Sequence, residues 1–494
     1  MTENFYCAKK LVQALGLPVE KIHCCTNGCM LYWDEDSELT NCKFCDHPRF
    51  KQHSRGSSNF QTNVPHKKMY YFPLTQRLQR LYASNATAKE MRWHAEHDHK
   101  DGVMRHCSDA TTWKHFNKTH PSFAAEVWNV RLGLCTDGFQ PFGQSGQQYS
   151  SWPVIVTPYN FPPWLCMKEE YMFLTIIVPG PRNPKDKLDV HLRPLIAKLK
   201  QLWEVGVETY DASKKNNFNM RVALLWTISD FPAYSMLSGW STKSKTACPY
   251  CRGDSDAFTL TKGGKQSWFD NHHMGADENN NCKAKNTGWK RWSIFWDFPY
   301  WSTNMLCHNL DVMHTEKNVF ENIFNTMMNV EGKTKDNAKS MEDLKEFCHR
   351  PVLERDMATG KYPKACYTLD KQSKVVLCEW LKNLRFPDGY VSNMGRCIDM
   401  QKLKLFGMKS HDCHVFMQRL LLIAFRELLP KYVWQALTKL SNFFRELTST
   451  TLRVEAMLQL NEEIPIILCK LERIFTPSFF DSMEHLPVHL AFEA

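Results

Sequence analysis

The sequence contains no apolar run of the about 18 residues needed to cross a bilayer as a helix, and Met1 is not followed by a secretory signal pattern. The first absence excludes an apolar membrane-spanning helix. The second argues against reading the 19 cysteines as the disulfide framework of a secreted protein. Also missing are a Walker-type phosphate loop, the glycine pattern of a dinucleotide fold, His-Glu-x-x-His and Gly-x-Ser-x-Gly. P-loop, nicotinamide, zinc-peptidase and serine-hydrolase chemistry therefore have no sequence support. There is no internal repeat and no long low-complexity tract.

What is present is a globular composition. The chain has 494 residues, 43% hydrophobic and 13% aromatic, enough for a large core divided over roughly two to four domains. Its formal net charge of +10 favours a polyanionic partner. In a reducing compartment, clustered cysteines read as metal ligands and scattered ones as buried thiols. Cys7, Cys166, Cys348, Cys366, Cys378 and Cys469 are of the second kind.

Two cysteine clusters are spaced for metal. Cys25-x3-Cys29 is followed, 12 residues on, by Cys42-x2-Cys45. Two close pairs separated by a hairpin-length segment read as a zinc ribbon, with strands at Met30–Trp33 and Leu39–Thr40. Cys24, next to the first ligand, leaves open which of the two thiols binds. The second cluster is Cys248-Pro249-Tyr250-Cys251, tight enough for one tetrahedral zinc. His308 and His314 are the expected partners, one from a loop and one from a first helical turn. His411 and His414 compete with them, and Cys307 could contribute.

The order of elements carries the functional argument. Val127–Cys135, Trp152–Thr157 and Glu170–Val178 read as strands, Val190–Trp203 as a helix and Phe218–Ile228 as a buried strand. Asp137 and Asp230 each follow an apolar strand-like run. Strand, strand, strand, helix, strand, with acids after the first and last strands, is the opening order of an RNase H-like α/β fold. Two carboxylates carried to the ends of neighbouring strands can share a pair of Mg²⁺ ions. Each aspartate alone also reads as a turn or cap residue, Asp137 before Gly138 and Asp230 before a helix beginning near Pro232.

A third acid is expected on a helix. Residues 311–328 are helical in pattern, with Asp311 a candidate N-cap and a stripe of Val312, Met313, Val319, Phe320, Ile323, Phe324 and Met327. Glu316 falls within that stripe. A carboxylate turned inward is costly unless paired or metal-bound, so Glu316 is the expected third ligand, with Glu321 and Asp311 as alternatives. Elsewhere, a short helix is expected to end near Gly16, residues 51–66 read as a polar linker, and residues 252–290 as an insertion. The stretch 91–100, Met-Arg-Trp-His-Ala-Glu-His-Asp-His-Lys, reads as a solvated helix face that could also contact phosphates or a metal.

At these residues the chain resembles the transposases of plant CACTA (En/Spm-type) DNA transposons. The resemblance lies in residues 21–33, Met91-Arg92-Trp93-His94, 129–143 (Asn-Val-Arg-Leu-Gly-Leu-Cys-Thr-Asp-Gly-Phe-Gln-Pro-Phe-Gly), Asp230-Phe231-Pro232-Ala233-Tyr234 and 246–251. It continues through 308–318 and Lys409-Ser410-His411-Asp412-Cys413-His414. It implies an RNase H-like DDE core with an inserted zinc-binding segment and metal-dependent cleavage at transposon ends. It also implies strand transfer into target DNA, a homo-oligomer when active, no membrane, and action in the nucleus.

Asp137, Asp230 and Glu316 match the acidic triad and would hold Mg²⁺ (or Mn²⁺), with Zn²⁺ at one or two Cys/His sites. The implied organisation is a zinc-ribbon-like module over 1–56, a helical, basic connection over 57–125, the catalytic core over 126–335 with its insertion at about 240–300, and a helical region over 336–434. Residues 435–494 would be the start of an incomplete C-terminal domain, since members of this group are longer at both ends. The alternative expectation is a catalytically inactive, transposase-derived factor that binds nucleic acid or protein.

Overall fold

The computed structural model describes residues 18–51, 63–141, 148–252, 257–269, 288–347 and 350–494. The helix expected to end near Gly16, together with Cys7 and Cys348, lies outside these residues, as do most of the expected linker and parts of the expected insertion. The chain divides into two units, residues 1–239 with 291–309, and residues 240–290 with 310–494.

An eight-stranded mixed sheet organises the first unit. Its strands are β1 (Glu20–Cys24), β2 (Leu31–Tyr32), β3 (Lys68–Tyr71), β4 (Val130–Thr136), β5 (Trp152–Pro158), β6 (Phe173–Val178), β7 (Val222–Ser229) and β8 (His308–Leu310), in the order β8-β7-β4-β5-β6-β3-β1-β2. The pairs from β4 through β5, β6, β3 and β1 to β2 are antiparallel. By contrast, β7 runs parallel to β4. The cysteine-rich segment is thus continuous with the central sheet through β1 and β3. Leu39–Thr40, expected as a ribbon strand, is not one; the nearest pairing is the isolated bridge between Asn41 and Pro48.

The expected strand over Phe218–Ile228 divides in two. Asn216–Met220 pairs with Val207–Asp211 in a separate hairpin, and β7 starts only after Arg221. Asn216, Asn217 and Asn219 are exposed in that hairpin, whereas nearly every residue of β7 is buried. A strand covered on both faces cannot accommodate a run of asparagines, because each buried amide would need partners. The buried Asn129 aligns β4 with β7 at their starts: its Nδ2 donates to the Phe123 carbonyl (2.8 Å) and its Oδ1 accepts from the Arg221 N–H (2.9 Å).

Helix α1 (Leu188–Glu204) buries Leu192, Leu195, Ile196, Leu199 and Leu202 in the same core as Leu132, Leu134 and Leu224. This is the apolar stripe that its 3.6-residue spacing predicts. Helix α2 (Phe231–Ser238) follows β7 directly and ends at Gly239 in the left-handed conformation (φ +78°), as helices commonly do.

The second unit is largely helical. Helix α3 (Val312–Met327) begins at Asp311, whose Oδ1 accepts from the His314 N–H (3.0 Å), and buries Val319, Phe320, Ile323, Phe324 and Met327. It packs against α4 (Ser410–Val415) and the wider π-helical turn Phe416–Leu420 that extends it, with the Phe320 and Phe416 rings 4.8 Å apart. Among the further helices of the unit are α5 (Lys431–Leu447), α6 (Val454–Glu472), α7 (Ser482–His485) and α8 (Pro487–Glu493). The segment from the expected insertion is anchored here. Asp343 accepts from the Lys262 and Gly263 N–H groups (2.7 and 2.9 Å), and Trp268 N–H donates to the Phe480 carbonyl (2.9 Å).

Candidate metal centres and carboxylates

Cys25, Cys29, Cys42 and Cys45 converge, their Sγ atoms all within 4.8 Å of one another. Alternation along β1 decides between the two adjacent thiols. Cys24 turns into the main core and donates to the Ile22 carbonyl, while Cys25 packs with Met30, Tyr32 and Cys42. Each pair of thiols spans a tight turn. Gly28 (φ +70°) closes the first, with its N–H on the Cys25 carbonyl, and Asp46 (φ +52°) closes the second, with its N–H on the Cys42 carbonyl. An L side chain at Gly28 would be strained and would crowd Lys187.

Burial pushes the Cys25, Cys29 and Cys42 thiols up. Cys45 is instead held down at about 6, first by the Asn27 amide that donates to its sulfur (3.4 Å) and next by the His47 N–H. Cys25 and Cys45 sulfurs lie 3.5 Å apart. Four thiolates bound to one ion at about 2.3 Å would sit roughly 3.8 Å apart, so the donor set fits a structural zinc. Lys187 Nζ, 3.9 Å from Cys29 Sγ, adds a cation beside the thiols.

The second cluster lies wholly in the second unit and corrects one expectation. The ring nitrogens facing Cys248 and Cys251 belong to His485 and His489, not to His308 or His314. Cys248 Sγ is 3.2 Å from His489 Nε2. Cys251 Sγ is 3.2 Å from His485 Nε2 and 3.3 Å from His489 Nε2, and the two Nε2 atoms are 3.3 Å apart. Two thiols and two imidazoles at these separations fit a closed tetrahedral Cys₂His₂ zinc site.

The Cys251 thiol is held well below its ordinary range, chiefly by Cys248 and then by His485 and His489. Burial pushes Cys248 the other way. Around the cluster, Tyr250 stacks on His489 (4.8 Å between centroids) and donates its hydroxyl to Glu493, which also accepts from the Leu310 N–H.

Most of the residues displaced from this role have other side-chain partners. His308 is buried on the sheet with Nδ1 2.8 Å from Thr227 Oγ1, and burial pushes its pKa down to about 3. His314 sits in the first turn of α3, half-buried. His411 Nε2 contacts the Tyr390 carbonyl, His414 Nδ1 contacts Glu316, and Cys307 Sγ donates to the Trp301 carbonyl. The chain does signal the true pair, since His485-x3-His489 is a second metal-type spacing. What hid it was distance, 234 residues from Cys251 to His485. Among the scattered thiols, Cys166 and Cys378 are buried as expected, but Cys366 is exposed.

Of the three acids, two follow neighbouring strands at corresponding positions. Cys135 and Ile228 are register partners in the parallel β4–β7 pair, and Asp137 and Asp230 each lie two residues further on. Asp137 is exposed and accepts from the Gly138 N–H (2.6 Å). Asp230 is half-buried and caps α2, accepting from the Ala233 N–H (2.7 Å). Gly138 lies so close to the Trp152 ring that a Cβ there would clash at 2.7 Å, which lets the chain leave β4 flush against the sheet.

Glu316, in the second unit, is fully buried in α3 and accepts from His414 Nδ1 (2.7 Å) and Gln418 Nε2 (3.0 Å). Gln418 lies in the π-helical turn, a local widening often found at functional positions. Glu321 is half-buried on the same helix.

Residues 101–290 match the transposase family tnp2. The chain is similar to transposases. Residues 447–494 match a domain of unknown function, DUF4218, and the two matches together support a plant transposase. No curated protein matches the chain. The transposase-like region contains Asp137, Asp230, Cys248 and Cys251, and the DUF4218 region contains His485 and His489, so both matched segments contribute to one Cys₂His₂ cluster. No helix among the described residues is long and apolar enough to cross a membrane.

Proposed function

We propose that the chain is the DDE-type catalytic core of a CACTA (En/Spm-type) DNA transposase, built on an RNase H-like sheet, which cleaves DNA at transposon ends and joins it to target DNA in the nucleus. The observation that carries this reading is the parallel pairing of β4 with β7, which beyond an irregularity between Leu224 and Trp226 aligns Cys135 with Ile228 and so sends Asp137 and Asp230 off the same ends of adjacent strands. Neighbouring strands lie about 4.8 Å apart, within the reach that two ions separated by about 3.5–4 Å require of shared carboxylates. Three antiparallel strands, then a strand parallel to the first, then an edge strand, support the RNase H-like assignment.

The donor chemistry suits the ion, since hard carboxylate oxygens are the usual ligands of Mg²⁺ or Mn²⁺. Asp137, Asp230 and Glu316 would hold the metal. When bound, divalent ions supply an activated water or 3′-hydroxyl and stabilise the leaving oxygen. His414 and Gln418 occupy one acceptor position on each Glu316 oxygen, and a carboxylate oxygen has a second. The Cys₄ and Cys₂His₂ clusters would take structural Zn²⁺. The basic surface would grip the DNA backbone, with a salt-dependent affinity, and the active form would be a homo-oligomer.

The test is a nicking assay on DNA carrying transposon-end sequence, with and without Mg²⁺. The expected result is Mg²⁺-dependent nicking that Asp137→Ala abolishes while DNA binding persists. Nicking that survives in the mutant would sink the assignment. DNA binding with no metal-dependent cleavage by the parent chain would favour the inactive binding factor instead.

A further inference from the structure

The segment Trp93–Asp109 holds a cluster that neither the acidic triad nor the cysteine sites use. His97 Nε2 is 3.0 Å from Asp109 Oδ1, and His99 Nδ1 is 2.6 Å from the same oxygen. The other carboxylate oxygen, Oδ2, is occupied by the Arg105 and His106 N–H groups (2.9 and 3.1 Å). Backbone therefore fixes the carboxylate and leaves Oδ1 to the imidazoles. His97 is fixed as well: its ring stacks on Trp93 at 4.0 Å and 6°, and its Nδ1 lies 3.0 Å from the Trp93 carbonyl.

The carbonyl only accepts, so Nδ1 carries the hydrogen and, in the neutral ring, Nε2 presents a lone pair. A lone pair aimed at a carboxylate oxygen is repulsive unless a positive charge sits between them. A backbone carbonyl on the far nitrogen is the arrangement that orients metal-binding histidines in general.

We propose that His97 Nε2, His99 Nδ1 and Asp109 Oδ1 form a further metal site, which takes a divalent first-row transition ion such as Zn²⁺ and leaves a coordination position to solvent. The three atoms lie within 4.8 Å of one another. Nitrogen and oxygen ligands of a tetrahedral zinc are about 3.3 Å apart, close to the 3.0 Å contact. The 2.6 Å contact has to open on loading, and His99 is the ligand able to move, because its side chain is 45% exposed against 8% for His97 and 7% for Asp109. His99 also lines a cavity of about 200 Å³ with Lys114, Asn117 and Arg131, which gives the open position room for water or an anion. An imidazolium on His97 is the rival source of the positive charge, and metal uptake separates the two.

The probe is Co²⁺, titrated into the full chain with its thiolate-bound metal left in place and followed by visible d–d absorption. The expected result is uptake by the parent chain that falls by one equivalent in both His97→Gln and His99→Ala, with Zn²⁺ competing for the lost equivalent. Near-UV circular dichroism and thiolate-bound metal content serve as fold controls. Should His97→Gln fail to fold, the half-exposed His99 decides alone. Uptake unchanged in His99→Ala, or no uptake by the parent chain, overturns the proposal.

Discussion

His414 Nδ1 lies 2.7 Å from Glu316 Oε2, and that carboxylate is fully buried. A buried carboxylate without partners is costly, so the pair is the condition on which α3 can carry Glu316 inward. A hydrogen bond to a charged group contributes about 1.5–3 kcal/mol. His414→Ala is therefore expected to destabilise the second unit by about that amount, measured by urea unfolding. An unchanged midpoint would show that Glu316 does not depend on His414. Gln418→Leu removes the second donor and should cost a comparable amount.

Asp230 has two roles to separate, the α2 cap and metal binding. Asparagine is as good an N-cap as aspartate but brings no charge. Asp230→Asn should unfold like the parent chain and lose Mg²⁺-dependent nicking by on the order of 10³-fold, since metal-mediated charge stabilisation is worth several kcal/mol. Asp230→Ala should lose the cap as well, at about 1 kcal/mol. Nicking retained by Asp230→Asn would mean that this residue is only a cap.

Zinc content distinguishes the histidines. His489→Ala is expected to contain one equivalent less zinc than the parent chain and to unfold at lower temperature, because a structural zinc's binding energy is folding energy. His314→Ala should leave the zinc content unchanged. Elemental analysis of the purified proteins reads both, and the reverse pattern would restore the pairing expected from sequence.

Acid should weaken the first unit through its buried histidines. Burial lowers His308 from 6.5 to about 3 and His191 from 6.5 to about 4. Between those values and 6.5 the unfolded chain binds more protons than the folded one. The stability they contribute is therefore present above pH 6.5 and lost as pH falls through that window. The check is an NMR titration of the imidazole Cε1 protons. Both rings should remain neutral at pH 5, and a His308 midpoint near 6.5 would contradict its burial.

The sequence was legible where residue pattern and local order agree. The runs ending in Asp137 and Asp230 became β4 and β7, Val190–Trp203 became most of α1, and Asp311 became the cap of α3. Cys25, Cys29, Cys42 and Cys45 were readable because all four lie within 21 residues. Legibility failed where a long closure decides. No periodicity links Cys251 to His485, and proximity along the chain made His308 and His314 the nearer candidates. The asparagine-rich hairpin before β7 was hidden by its apolar neighbours Phe218 and Met220. Nothing in the spacing around Glu316 revealed that its partners would be His414 and Gln418, about a hundred residues on.

The Cys248–His489 contact spans 241 positions, and this fixes an order of events at the ribosome. At about 5–20 residues per second, roughly 10–50 s separate the emergence of Cys251 from that of His485. Throughout that interval the nascent chain carries a bare dithiol, open to oxidation or to capture of the wrong cation. The helices that seal it, α7 and α8, are made only after that interval.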